Sequence, residues 1–242
     1  MLAKIFENLK TLIIALLIAI LIRSLFFQPF YIPSSSMEPT LLVGDRIFVS
    51  KYTYGYSKHS FPFSPPIFEN RILYSKPNYG DLVVFKTPSD NRTDFIKRLI
   101  GLPGDQIQFK DGNLFVNNEM IKREKINNRY DIRCAGKEID VLEYNVELSK
   151  KKSFNIVYKL KGSMKNSDLY KVPDDHFFFL GDNRDCSSDS RFLGNVGYVH
   201  KNNLVGKARI IFFSNDTLKG SVLKFWNWSN SLRLDRFFKI IK

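Results

Sequence analysis

The pattern of apolar and polar positions divides the chain near residue 31. From Thr11 to Ile22 it reads TLIIALLIAILI, an apolar run without charge, and after Arg23 and Ser24 the stretch LFFQPFYI carries the apolar character on to Ile32. By itself the first run is shorter than the ~20 residues a helix needs to cross a bilayer core. An Arg near a helix end can lift its guanidinium to the headgroups, so the span can extend past Arg23, and residues 11–30 are predicted to form one transmembrane helix. Lys4 and Lys10 favour a cytoplasmic amino terminus over residues 1–10. A cleavable secretory signal has the same positive start, but it needs small residues soon after the run, where Phe26, Phe27, Gln28, Pro29 and Phe30 stand. A helix buried in a core is the third reading, and nothing supplies the polar face it would have. An uncleaved anchor with the rest of the chain outside is therefore expected.

Beyond residue 31 the pattern becomes short runs of β-branched and aromatic residues broken by Gly, Pro, Asp and Asn: 46–50, 81–86, 107–110, 114–116, 155–160, 176–180 and 208–213. That spacing predicts a mostly β domain. Asp111-Gly112 between two alternating segments predicts a hairpin with a primed turn. Residues 52–78, with Pro62, Pro65, Pro66 and Pro77, read as a long irregular loop. Residues 119–171 are polar, basic and weakly patterned, and read as an insertion or small β subdomain. It divides a catalytic β domain into a first part, 31–118, and a second part, 172–242, whose tail joins Trp226, Trp228, Phe237 and Phe238 to basic residues. Such a tail suits a membrane interface or an amphipathic segment packed on the domain.

The chain has 242 residues, enough for a sizeable core, with 25% charged and 44% hydrophobic residues, which excludes a disordered or collagenous chain. Its net charge of +13 raises anionic lipid and nucleic acid as partners, although a coding bias that inflates Lys would give the same surplus. Cys134 and Cys186 lack the short spacing of metal or redox motifs; one disulfide is possible and none is required. His59, His176 and His200 are not within helical or strand reach of one another along the sequence, so a His-rich metal centre is not expected.

Three segments carry candidate chemistry. IPSSSMEPTLLVGD, 32–45, starts where the apolar stretch ends, and on composition alone could be a turn. DFIKRLIGLPGD, 94–105, sets Lys97 on the strand face of Phe95 and Leu99; a Lys there usually snorkels, but if buried it loses its proton more readily and becomes a general base. GDNRDCSSDSRFLG, 181–194, is too polar for core and would pass as a surface loop.

In this order, and with GDLVVFK at 80–86, these segments resemble the boxes PSxSMxPTL, GDxVVF, KRxxGxPGD and GDNRDxSxDSR of the bacterial type I signal peptidase family. The likeness covers about 31–50, 80–116 and 172–214, extends weakly to LRLDR at 232–236, and does not reach most of 52–78 or 119–170. It implies a mostly β, signal-peptidase-like fold, shared with autoproteolytic repressors, behind one amino-terminal transmembrane helix. It further implies Ser36 as nucleophile, Lys97 as general base, Ser34 as oxyanion donor, Ser187 as a hydrogen-bond partner orienting Lys97, and Asp189 with Arg191 as a salt bridge shaping the site. Ile32, Met37 and Ile96 match the walls of shallow pockets that admit small side chains. The implied activity is removal of signal peptides from exported preproteins after Ala-x-Ala-type sites, at the bacterial inner membrane, with the catalytic domain outside. Secreted preproteins and membrane phospholipid are the implied partners, with no cofactor, metal or nucleic acid. Cys186 and Phe95 depart from the family's frequent Asn and Tyr. A related Ser–Lys protease cleaving itself or one dedicated substrate is the runner-up, and a non-catalytic, membrane-tethered basic β module is the reading from another class.

Overall fold

In the computed structural model, which describes residues 2–66, 69–149, 152–220 and 224–241, the apolar run lies in a helix, α1 (Leu2–Leu25). Lys4–Leu25 has 22 residues, a mean hydropathy of 2.3 and no burial against the rest of the chain. At ~1.5 Å per residue it reaches about 33 Å, sufficient for a hydrocarbon core of ~30 Å. The helix begins at Leu2 rather than at Thr11, and it ends at Leu25, two residues past Arg23 and short of the residue 30 that the sequence suggested. It stops at Leu25 because the next residues pair as strand: β1 (Phe27–Tyr31) lies antiparallel to β2 (Asp45–Ser50), with Phe27 opposite Ser50 and Tyr31 opposite Arg46. Pro29 has no amide for a ladder, and β1 tolerates it because it is the edge of its sheet.

The remaining strands are β3 (Leu82–Lys86), β4 (Asp94–Gly101), β5 (Gln106–Lys110), β6 (Asn113–Val116), β7 (Glu119–Met120), β8 (Arg123–Cys134), β9 (Lys137–Ser149), β10 (Lys152–Lys159), β11 (Tyr170–Lys171), β12 (His176–Leu180), β13 (Val199–His200), β14 (Leu204–Ser214) and, after the short helix α2 (Trp228–Ser231), β15 (Lys239–Ile240). The main antiparallel sheet runs β1-β2-β14-β3-β4-β12-β13, with β15 also pairing β14; two smaller sheets run β10-β9-β8 and β11-β5-β6-β7. The mostly β expectation is met. The β5–β6 hairpin turns at Asp111 and Gly112 with φ of 47° and 76°, as its primed turn requires, and turns Ile107, Phe109, Leu114 and Val116 into a core shared with β12.

The weakly patterned stretch 119–171 contains the two longest strands, β8 and β9, of 12 and 13 residues. Their alternation is real but diluted: Ile132 and Val141 pack on Val157 of β10, while Arg129, Asp131, Arg133, Glu138 and Asp140 face solvent. Residues 52–78 carry little regular structure, as expected, yet they are pinned. The buried Arg71 guanidinium donates to the carbonyls of Gly55 at 2.7 Å, Lys201 at 2.8 Å and also Leu204, supplying bonds that a ladder would otherwise make. The histidine spacing misled in one respect, because β12–β13 pairing sets His176 opposite His200 with ring centroids 5.0 Å apart. In the tail, Arg236 bonds Asp45 at 2.5 Å and Phe237 packs on Phe213, so that part is packed on the domain, while Trp226 and Trp228 are exposed.

Candidate active site

The segment 32–37 leaves β1 and tightens into a single 3₁₀ turn, Ser35–Met37. Its base is fixed by main-chain bonds, Ile32 N–H to Asp45 O at 2.9 Å and Gly44 N–H to Ile32 O at 3.0 Å. Burial of Ile32 and Met37 with Ile47 and Val84 then orients the turn. Ser36 is left 7% exposed and Ser34 exposed beside it, their hydroxyl oxygens 3.3 Å apart.

Lys97 comes from β4, where it pairs with Val83 of β3 and shares its face with Phe95 and Leu99. It is 4% exposed. Its Nζ lies 2.7 Å from Ser36 Oγ and 3.1 Å from Ile96 O, with the Phe95 ring centroid 5.3 Å away. Among the described residues no carboxylate forms an ion pair with it. Burial therefore pushes its pKa down from 10.5 to about 8; the more distant Asp189 and Asp182 oppose that shift and Arg191 adds to it.

The third segment follows β12 and folds back on it, Ser190 N–H bonding Phe179 O at 3.0 Å. The Asp189 carboxylate accepts the Gly181 N–H at 3.0 Å and two bonds from Arg191 at 2.8 and 2.9 Å, so the expected salt bridge is formed, with both partners buried. Asn183 donates its amide N–H to Ser36 O and its side-chain Nδ2 to Ser35 O, each at 3.2 Å. Gly181 permits this approach, since a Cβ there would stand 2.6 Å from Ser36 O and 2.3 Å from Ser187 Oγ. Ser187 is buried at this junction, but its Oγ makes no hydrogen bond among the described residues, so the bond expected to Lys97 is not formed in this structure.

Ser34, Ser36, Lys97 and Ser187 line one cleft of about 1040 Å³, with Asp189 and Arg191 outside its lining. Its apolar wall includes Ile32, Met37 and Ile96, as expected, together with Phe30, Ile47 and Val84, which the sequence reading did not single out. Their signal was the period-2 alternation of β1, β2 and β3. Also missed was the pair beneath the cleft: Arg98 donates to both Asp182 oxygens at 2.8 and 2.7 Å and lies 3.9 Å above the Phe154 ring, and Thr40 donates to the same carboxylate at 2.5 Å. Arg98 follows Lys97 in a strand and so faces the other way, where a buried charge must find a partner. Cys134 and Cys186, left open by the sequence, form a disulfide with Cα atoms 5.7 Å apart.

A family model described as signal peptidase, peptidase S26, matches residues 5–213. The signal peptidase I of Rickettsia conorii is 39% identical over 241 aligned residues, covering 92% of this chain and 88% of the relative. That of Rickettsia canadensis is 38% identical, covering 96% and 92%. A crystal structure of a signal peptidase I from Enterococcus faecalis shares 27% identity and covers 55% of this chain and 97% of its own, with a TM-score of 0.34. The family match and the near full-length relatives lead to one conclusion: the chain belongs to the signal peptidase family, peptidase S26.

Proposed function

We propose that Ser36 and Lys97 are the catalytic pair of this membrane-anchored serine endopeptidase, and that it removes signal peptides from exported preproteins after Ala-x-Ala-type sites. The observation that carries the assignment is the 2.7 Å contact between Ser36 Oγ and a buried lysine that forms no ion pair among the described residues. A neutral Lys97 accepts the Ser36 proton as Oγ attacks the scissile carbonyl carbon. The Ser34 hydroxyl and the Ser36 N–H stabilise the resulting oxyanion. As the C–N bond breaks, the Lys97 ammonium returns the proton to the leaving amine. The same nitrogen then activates a water that hydrolyses the acyl ester. Asp189 and Arg191 brace the loop behind the pair, and Ser187, with its hydroxyl otherwise unbonded, is assigned to orienting the Lys97 amine. Ile32, Met37 and Ile96 offer an uncharged wall of limited depth, which accepts Ala and turns away bulky or ionised side chains by steric exclusion. No step calls for a metal, a cofactor or nucleic acid.

The pH dependence tests the base. With a pKa of about 8, Lys97 carries its proton at pH 6 and has lost it by pH 10, so kcat/KM should rise through an acidic limb centred near pH 8 and level off above it. Chelators should leave the rate untouched. A flat profile between pH 6 and 9, or a rate lost to chelator and restored by zinc, would remove Lys97 from its role.

We place the amino terminus in the cytoplasm and residues 31–242 outside, in a single pass. Lys4 and Lys10 support that orientation, as does the disulfide, which persists in an oxidising compartment. Ser36 then lies eleven steps from the helix end at Leu25, so it cannot be farther than roughly 39 Å from the membrane exit at ~3.5 Å each. A preprotein held in the same bilayer by its own apolar segment gains effective concentration there. The charge of +13 and the exposed Trp226 and Trp228 suit docking on anionic phospholipid. Removing residues 1–25 should preserve cleavage of short peptides and slow processing of liposome-bound preprotein at least about tenfold. Equal rates for truncated and full chains on liposomes, or protection data placing residues 60–240 in the cytoplasm, would contradict this arrangement.

A further inference from the structure

The β8–β9 ribbon ends in a tight turn at Ala135 and Gly136, both with positive φ, and this tip reaches back over the serine turn. Two contacts hold it there. Ser35, 5% exposed and next to Ser36 in the 3₁₀ turn, donates its hydroxyl to Arg133 O at 2.6 Å. The Cys134–Cys186 bond then joins the tip covalently to the loop that carries Ser187, and Cys186 Sγ lies 3.4 Å from the same Ser35 Oγ. Arg133, Cys134, Ala135 and Gly136 all line the cleft. Around them the tip is exposed, and its ion pair, Arg133 with Glu138, lies within the ribbon and adds nothing to its hold on the domain. Beside the ribbon the same small sheet is tied to the site loop through β10, where Val157, packed on Ile132 and Val141, forms a bridge with Asn183, and Arg184 N–H bonds Val157 O at 3.0 Å. Without the disulfide, the tip would keep one hydrogen bond to the serine turn, and that bond alone is worth only about 1 kcal/mol net.

We propose that the ribbon tip Arg133–Gly136 is a substrate-facing wall of the cleft, and that Cys134 and Cys186 are positioning residues whose bond holds the Ser35–Ser36 turn in register for attack. This rests on the assignment of Ser36 as nucleophile. The disulfide acts on both neighbours of the reacting hydroxyl at once: through Arg133 O it fixes Ser35, and through the 186–187 peptide it fixes the loop against which Ser36 O is packed. Small displacements of a nucleophile cost much in turnover, so opening this bond should lower kcat by a factor on the order of 10 to 100. KM should rise for peptides long enough to touch the tip and stay unchanged for short ones.

The full chain in detergent is assayed at 25 °C on a short and an extended Ala-x-Ala peptide in four forms: untreated, reduced with a phosphine, C134S/C186S, and Ser35→Ala with the disulfide intact. In the reduction the phosphine attacks one sulfur and breaks the S–S bond, and water hydrolyses the resulting thiophosphonium, supplying the oxygen of the phosphine oxide and the two protons of the thiols. Circular dichroism and a melting curve establish that each form is folded at the assay temperature. The expected result is a matching loss of kcat in the reduced chain and in C134S/C186S, recovery on reoxidation, and no effect of phosphine on C134S/C186S. Ser35→Ala should also lose kcat, and combining it with C134S/C186S should add little, because both act on one contact. Folded, reduced chain with unaltered kcat and KM overturns the inference while leaving Ser36-dependent cleavage in place. If the cysteine forms do not fold, an unchanged kcat in Ser35→Ala overturns it equally. If the untreated chain shows no cleavage that Ser36→Ala abolishes, the assignment of Ser36 and this inference fall together.

Discussion

Lys97→Ala and Ser36→Ala each reduce turnover by roughly 10⁶, the scale on which members of a nucleophile–base unit fail singly, and both variants stay folded. The first removes the proton acceptor 2.7 Å from the attacking oxygen; the second removes that oxygen. Neither change should unfold the chain. Lys97 is a buried amine without an ion pair among the described residues, so its loss strands no countercharge there, and Ser36 gives up a single oxygen at the edge of a cleft. Lys97→Arg should be as inactive as Lys97→Ala, because a guanidinium keeps its proton at any working pH. Single-turnover assays on purified variants decide the matter, with melting curves alongside. Residual activity above about 1% in either alanine variant, in material free of host enzyme, would dissolve the pair.

Ser34→Ala is expected to lower kcat by ~10²–10³ with KM nearly unchanged. Ser34 is exposed at the cleft with its Oγ 3.3 Å from Ser36 Oγ, near enough to meet the negative charge that grows on the substrate oxygen when Ser36 attacks. That charge exists only in the transition state, so the loss falls on turnover and spares ground-state binding. Ser34→Thr keeps a hydroxyl and should recover part of the rate. A variant with raised KM and normal kcat would move Ser34 from oxyanion stabilisation to a side-chain pocket.

What the sequence disclosed was unequal, for physical reasons. Lys97 was legible because alternation along 94–101 put it on an apolar face, and the structure seats it there between Phe95 and Leu99. The Asp111-Gly112 hairpin was legible because its two positive φ angles restrict residue choice. Phe27–Tyr31 misled because aromatic residues suit both a membrane boundary and a strand; only the partner strand, Asp45–Ser50, decides. The ribbon of residues 123–149 was invisible as two long strands because its exposed face is charged and few of its alternate positions are apolar. Cys134 with Cys186 and Arg98 with Asp182 are pairs between distant segments, and spacing along a chain carries no information about such contacts. Ser187 reached its expected neighbourhood without its expected bond, which shows how little a motif says about the rotation of one hydroxyl.

The most direct measurement is processing of a radiolabelled preprotein with an Ala-x-Ala site by the detergent-solubilised full chain, with amino-terminal sequencing of the product and the Ser36→Ala chain run in parallel. The expected result is one cut, directly after the second Ala, blocked when that Ala is replaced by a bulky residue and absent with Ser36→Ala. Cleavage elsewhere, or the same product from the Ser36→Ala chain, would contradict it.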